Sequence, residues 1–428
     1  MSLSKYVAVT ALCFALLTAA SASAAPGEVD RSFADRGELR IAPLGPLYRF
    51  EAALDFAAGP KGETYVLRRG TNCQEVGCGA DLLVTRYRFD GSLDTSFGQG
   101  GTAKALGTQG YRSGTLAVDS GGRPLVAVAE GRIVVVRLSR GGAVEQTFAT
   151  RTSELCGCLA STADVGFAAD GDLVVSGPAE EWFGPNGPPQ DRRGWAVFLI
   201  ARFAPGGQPD SGFADGGQGL IAVRGEINAV AVQADGGLLL GGFDEGNPVI
   251  RRVGSDGRLA QRFGAGLAKT LANRGVAHAS ANAIVPKAGG AFAFVSNYVG
   301  GKFRNYLVAL DRKGRLVPKF GRRGLRRLPM PMPVARYARD SRGRIIVGAG
   351  GFEGTSYVMR LRADGGVDRS FGGGRPLELD SEYSVLAVGG SLRPMLFDLG
   401  NRSYRSYSPP KPVILRLLGG AVRKRLHR

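Results

Sequence analysis

An all-β fold, a seven-bladed β-propeller of four-stranded antiparallel blades, is what this sequence predicts, and three observations predict it. A turn motif recurs along the chain at intervals of 50 to 65 residues. Between its copies lie short apolar runs joined by Asp/Gly hairpin signals. No stretch reads as a helix of useful length, whereas short strands and tight turns fill every period.

The motif is clearest in DGSLDTSFGQGG, residues 90 to 101. Aligned on its phenylalanine, the copies place Phe33, Phe97, Phe148, Phe213, Phe263, Phe320 and Phe371 in one frame, with Leu426 near the C-terminus. Six positions upstream there is a glycine every time: Gly27, Gly91, Gly142, Gly207, Gly257, Gly314, Gly365 and Gly420. An unvarying glycine among variable neighbours predicts backbone at positive φ, which glycine adopts without steric cost. Gly91, Asp94 and Phe97 therefore read as a structural turn, with Asp30, Asp210 and Asp368 as the counterparts of Asp94 and with Ala260 and Pro318 replacing it in two copies. An acid repeated by symmetry suits a turn, where its carboxylate caps backbone N–H groups.

After each turn comes a short strand, then an apolar run, a hairpin, a second apolar run, and a strand carrying an arginine. The hairpins include AVDSGGRPLVAV (117 to 128), QADGGLLLGG (233 to 242) and RDSRGRIIVG (339 to 348). Asp-Gly or Gly-Gly between alternating apolar residues is a strong hairpin signal. Four strands per period, seven times over, is the pattern of a propeller, in which radial repetition leaves short protected edges. The motif DGSLDTSFGQGG followed by QADGGLLLGG resembles the delta-60 repeat family, a β-propeller family of unknown function. The resemblance spans Gly27 to about Gly420 and implies fold and export, with no assigned catalytic residues.

The ends of the chain read differently. Residues 1–24 hold Lys5, an apolar run from Val7 to Leu17 and Ala22-Ser23-Ala24, the pattern of a cleaved signal peptide. The propeller is expected over residues 25–420, and the arginine-rich residues 421–428 as a basic tail. Eight motif copies bound seven periods, so the first and last compete for one place in the ring. The N-terminal copy keeps Asp30, Ser32 and Phe33 and is expected to win it. A secreted or envelope protein follows, in a bacterial periplasm or outside the cell, with no transmembrane segment after signal removal.

The chain carries 55 Lys or Arg against 37 Asp or Glu, a formal charge of +18. Such a balance speaks to partners and solubility rather than fold. Fourteen of the cations fall between Lys302 and Arg344, including Arg322, Arg323, Arg326 and Arg327 in GRRGLRR. A patch there suits phosphate or carboxylate groups on an envelope polymer. Nucleic acid is not expected as partner, because no aromatic residues interleave for base stacking.

Chemistry has little to work with. The chain has 2 histidines, His278 and His427, which disfavours metal sites and histidine-assisted nucleophiles. No cofactor and no metal are expected. Cys73 with Cys78 and Cys156 with Cys158 suit disulfides in an exported chain, with cross-pairing between the two loops open; the spacings fit zinc poorly. Long insertions at 69–80, 177–194 and 399–411 share one face of the ring and leave a notch over blade two. The second of these, PAEEWFGPNGPPQDRRGW, holds Trp182 and Trp195 beside Arg192 and Arg193, a combination suited to a sugar or a peptide or to covering the loop's own underside. The sequence thus predicts an exported noncatalytic binding or scaffolding module, expected as a monomer, for an unknown protein or an anionic or glycan envelope polymer. The alternative is a hydrolase or lyase working with carboxylates at the central channel mouth.

Overall fold

The computed structural model describes residues 25–419 except 49, 75–76, 109–113, 130–132, 150–163, 168–170, 180–196, 215–218, 351–354, 381–382, 389–392 and 399–411. Among the described residues, twenty-seven strands form seven antiparallel sheets. The chain begins with β1 (Glu38–Arg40) and then builds blade one from β2 (Phe50–Ala58), β3 (Thr64–Gln74), β4 (Gly77–Tyr87) and β5 (Thr102–Thr108). Blade two is β6 (Thr115–Val118), β7 (Pro124–Ala129), β8 (Ile133–Leu138) and β9 (Val144–Ala149); blade three is β10 (Asp164–Phe167), β11 (Leu173–Ala179), β12 (Val197–Phe203) and β13 (Leu220–Arg224). Blade four is β14 (Glu226–Val232), β15 (Leu238–Asp244) and β16 (Asn247–Val253), followed by the helix α1 (Leu267–Ala272). Blade five is β17 (Ala279–Lys287), β18 (Gly290–Val299), β19 (Lys302–Asp311) and β20 (Leu325–Leu328); blade six is β21 (Arg336–Arg339), β22 (Ile345–Gly350), β23 (Ser356–Leu361) and β24 (Leu377–Leu379). Blade seven is β25 (Tyr383–Val388), β26 (Pro394–Asp398) and β27 (Val413–Arg416), completed by β1 on its outer edge.

The first strand of each blade meets the first strands of its two neighbours, so these seven strands line the axis and the fourth strands form the rim. The sequence period is therefore one strand out of step with the blade: the strand after each turn is the outermost strand of the blade just built.

Seven apolar clusters hold the ring, one in each seam. Tyr65, Leu67, Leu82 and Val84 of blade one, for example, pack on Leu116, Val126 and Val128 of blade two. Alternation along a strand sends successive side chains to opposite seams, which is why near-continuous apolar runs such as β8 are buried on both faces. The motif phenylalanines belong to these clusters. Phe33, Phe97, Phe148 and Phe213 seal the first four seams in chain order, and Phe263, Phe320 and Phe371 the remaining three.

The motif glycines confirm their expected backbone. Gly27, Gly91, Gly142, Gly207, Gly257, Gly314 and Gly365 have φ between 75° and 97°. The glycine also permits a close approach to the turn of the preceding blade. An added Cβ at Gly91 would lie 2.6 Å from Ala34 Cβ, and one at Gly257 would lie 2.5 Å from Ala214 N. Backbone hydrogen bonds run across the same contact: Ala34 N donates to Asp90 O at 2.6 Å, Gly98 N to Gly141 O at 2.7 Å, and Ala214 N to Asp256 O at 2.9 Å. Each turn thus clasps the next blade, and that is what repeating it accomplishes.

Three expectations need correction. Among the described residues, blade four has three strands, not four. Pro248 lies in β16 opposite Phe243, one step from the pair that flanks a two-residue turn, so its nitrogen faces the rim and has no hydrogen to donate to a fourth strand. The following segment, LAKTLA, is made of helix formers and folds as α1, burying Leu267 and Leu271 against the blade-five seam. Second, Phe148 sits within β9, paired with Val135, rather than in a turn. Third, Val317, not Pro318, takes the place of Asp94: Val317 N donates to Ala309 O as Asp94 N donates to Arg86 O.

Candidate functional site

At the centre of each turn stands an arginine from the third strand. Arg86, Arg137, Arg202, Arg252, Arg360 and Arg416 occupy equivalent places, and blade five has Ala309 there. Arg416 Nε donates to Asp30 Oδ2 at 2.7 Å, Arg360 Nε to Asp368 Oδ2 at 2.7 Å, and Arg86 pairs with Asp94 at 2.8 Å. The guanidinium groups of Arg416, Arg86 and Arg360 lie 4.2, 4.7 and 4.7 Å from the rings of Phe33, Phe97 and Phe371. Arg137 Nη1 then crosses to Pro205 O of the next blade at 3.1 Å, and Arg202 Nη1 to Ser255 O at 3.2 Å. These ions, of which Arg202, Arg360 and Arg416 are buried, are part of the seams.

Three of the turn acids, Asp94, Asp30 and Asp368, are correspondingly held ionised. The Ser96 hydrogen bonds and the charges of Arg86 and Arg88 keep Asp94 below the usual carboxylate range, against the upward pull of burial. At Asp30 and Asp368 burial is the largest influence and acts upward, but serine hydrogen bonds and arginine charges outweigh it and lower both. Gly91, Asp94 and Phe97 are therefore a structural unit whose polar groups are satisfied by their own turn and seam.

The axial wall carries residues that the sequence did not single out. Asp55 on β2 accepts from Thr115 Oγ1 and Leu116 N, both at 2.8 Å, joining the inner strands of blades one and two. Its other oxygen accepts from Phe56 N at 2.9 Å. Desolvation raises its pKa above the ordinary value, although these hydrogen bonds and the charge of Arg336 on the blade-six inner strand oppose the rise. On the far side, Asn228 Nδ2 donates to Ser280 Oγ at 2.8 Å, and Asn282 Nδ2 donates to Ser296 Oγ. Both asparagines sit at β-bulges in their inner strands, which turn them out of the ladder. Alternation rules alone do not reveal a bulge, so neither residue was legible. Among the described residues no three His, Cys, Asp or Glu side chains gather as metal ligands would. His278 is exposed, on the loop before β17, at φ 47°.

The remaining sequence candidates divide. Trp182, Trp195, Arg192, Arg193, Cys156 and Cys158 lie outside the described residues, as do the signal and tail segments. The register of β3 and β4 places Cys73 opposite Cys78. Arg322 and Arg323 are exposed in the blade-five turn, and Arg327 is exposed on β20. Arg326 faces the seam instead, 5.2 Å from the Phe320 ring, standing in for the arginine that Ala309 lacks. Lys319, Arg312 and Lys313 extend the exposed group around the same turn.

A groove of about 820 Å³ opens beside blade four, where the fourth strand is missing. Its walls are Ile221 and Val223 of β13 and Val249 and Arg251 of β16, with Phe263 and Ala268 at the outer end. The walls are mainly apolar, and Arg251 is engaged by Asp244 at 3.2 Å.

Fold and site together define a seven-bladed β-propeller with arginine-clasped seams and a cation-rich rim. No family model and no curated protein matches the chain. Solved structures do resemble it in outline. A luciferin-regenerating enzyme shares 12% identity over 89% of this chain and 95% of its own, with a TM-score of 0.39. The PQQ-bound aldose sugar dehydrogenase from Streptomyces coelicolor shares 12% over 92% and 99%, with a TM-score of 0.39. A protein of unknown function from Dyadobacter fermentans shares 12% over 90% and 98%, with a TM-score of 0.42. At this distance the likenesses carry no inference about activity.

Proposed function

We propose that this chain is an exported, noncatalytic binding or scaffolding module of the cell envelope or the extracellular space, and that its ligand is an anionic polymer, a glycan in the first instance. The observation that carries this reading is how the charges are spent. The acids of the turns and hairpins are committed to structural arginines, as in Asp30, Asp172, Asp340 and Asp368. The cations left over, Arg322, Arg323 and Arg312 among them, are exposed and make no ion pair among the described residues. A surface of that kind attracts polyanions, with affinity that falls as salt rises. Asp55, the acid found on the axial wall, has its oxygens engaged by Thr115, Leu116 and Phe56, which suits a staple between blades better than a general base. The export and the delta-60 resemblance belong to this reading.

The test is binding of the chain to an array of anionic and neutral glycans at low and high salt. Salt-sensitive binding confined to anionic glycans supports the reading. Binding that ignores salt and is lost in Trp182→Ala or Trp195→Ala would move the site to the blade-three insertion. No binding to any glycan would overturn the polymer reading.

A further inference from the structure

We infer that the polymer lies along the outer rim where blade four meets blade five, and that it is a linear acidic glycan bearing carboxylate or phosphodiester groups; this rests on the binding reading above. The argument begins with the two places where the turn has lost its acid. In blades one, three, six and seven the third-strand arginine is balanced by Asp94, Asp210, Asp368 or Asp30. In blades four and five that acid is Ala260 and Val317. Arg252 of blade four turns to Asp235 at 2.5 Å instead, and blade five has Ala309 in place of the arginine, so these two turns present no carboxylate of their own to the rim.

The same region is where the fold departs from its repeat. The helix α1 replaces the fourth strand of blade four, brings the exposed Lys269 to the rim and is followed by the exposed Arg274. Arg274 Nη1 donates to the carbonyl of Arg323, which ties the end of that segment to the blade-five turn. On the other flank Gly264 N donates to Lys313 O at 3.2 Å, which brings the Arg262 turn alongside Arg312 and Lys313. Arg262, Arg274, Arg312, Lys313, Arg322 and Arg323 thus form a strip across the seam, all exposed and without an ion pair among the described residues. Of the nearby acids, Asp311 is held by Arg315 at 2.8 Å, and Asp256 accepts from Arg258 N at 3.0 Å.

The strip also indicates the kind of polyanion. Arginine predominates in it, and the guanidinium fork matches the paired oxygens of carboxylates and phosphates. The aromatic rings beneath it, Phe263 and Phe320, are half-buried in their seams, where they offer no platform for a base. An acidic glycan needs no such platform.

The experiment measures binding of the full chain to polygalacturonate, to a glycerol-phosphate polymer and to a single-stranded oligonucleotide, at 50 and 200 mM salt as set conditions, roughly the range over which polyanion affinities change by decades. The variants are the pair Arg322→Gln with Arg323→Gln, then Arg274→Gln, and a control pair on blade seven, Arg31→Gln with Arg40→Gln. Denaturation midpoints confirm that each variant folds. The expected result is a loss of about tenfold in affinity for one or both glycan polymers in the rim pair, with the control within about twofold. The polymer that binds more tightly identifies the anionic group. If the wild type binds and the rim pair binds equally well, the rim track is wrong and the binding reading survives. If the wild type binds neither polymer at low salt, both fall. Tightest binding to the oligonucleotide would overturn the glycan assignment.

Discussion

Arg416 reaches Asp30 across almost the whole chain: its Nε donates to Asp30 Oδ2 at 2.7 Å, and the two side chains are 1% and 3% exposed. The pair sits where the last blade accepts its outer strand from the N-terminus, with Glu38 to Arg40 lying antiparallel to Val413 to Leu415. Asp30 thereby supplies the turn that the C-terminal end of the chain would otherwise have to provide. Phe33 is fully buried beneath the same arginine, as expected of the N-terminal copy.

Breaking this pair from one side should be costly. Asp30→Ala leaves the Arg416 guanidinium buried without its carboxylate, and a loss of about 3–5 kcal/mol is expected. Adding Arg416→Leu should return part of that loss, because no unpaired ion remains. Urea midpoints for the two singles and the double test this, and a double variant no more stable than Asp30→Ala would show that the pair does not act as one unit.

The glycine of the turn has two separate demands on it, and two substitutions separate them. Gly100 has φ 59° with nothing within 4 Å of an added Cβ, whereas Gly91 has φ 88° and a Cβ there would meet Ala34 Cβ at 2.6 Å. Gly100→Ala should cost about 1–2 kcal/mol for the left-handed backbone alone. Gly91→Ala should cost more, because the seam must also open. Equal losses in thermal or urea unfolding would mean that the clasp has slack.

Acid should loosen the ring through its turns. Asp30, Asp94 and Asp368 all titrate below their ordinary carboxylate value in the folded chain. A depressed folded pKa gives stability that is present above the unfolded pKa, near 3.8, and is lost as pH falls through the folded values. Urea midpoints should therefore drop steeply below about pH 4. Asp94→Asn should make the drop shallower, and an unchanged slope would remove Asp94 from the account.

Much of this architecture was legible, and the parts that were not share a cause. Gly91 and Phe97 could be read because each repeats at a fixed offset. Their partners could not, because Ala34 and Gly141 belong to neighbouring copies and only the closed ring brings them together. The helix α1 escaped because a single proline, Pro248, removes the donor that a fourth strand would need, and the repeat elsewhere argued for a strand. Placing the Asp94 equivalent at Pro318 rather than Val317 put that copy one residue out of frame, although the loss of the acid in the Phe263 and Phe320 copies was itself legible. Arg322 and Arg323 were found by cation density, while Arg274, distant in sequence, joins them only through the contact with Arg323 O.

Asp55 should titrate in the opposite sense to the turn acids. It stands in the axial wall with Thr115 and Leu116 of the next blade donating to one oxygen, and desolvation pushes its pKa up. A raised folded pKa gives a contribution that is complete below the unfolded value and is lost as pH rises through the folded one. Asp55→Asn keeps a single acceptor oxygen and cannot ionise. It should destabilise the fold by about 1–3 kcal/mol in mild acid, where the protonated carboxyl is well accommodated. As pH rises the wild type should lose its advantage, so the gap between the two urea midpoints should narrow from about pH 4 upward. A gap that stays constant to about pH 8, well past the ordinary carboxylate range, would show that Asp55 titrates alike in the folded and unfolded chain and that its environment is wetter than its contacts imply.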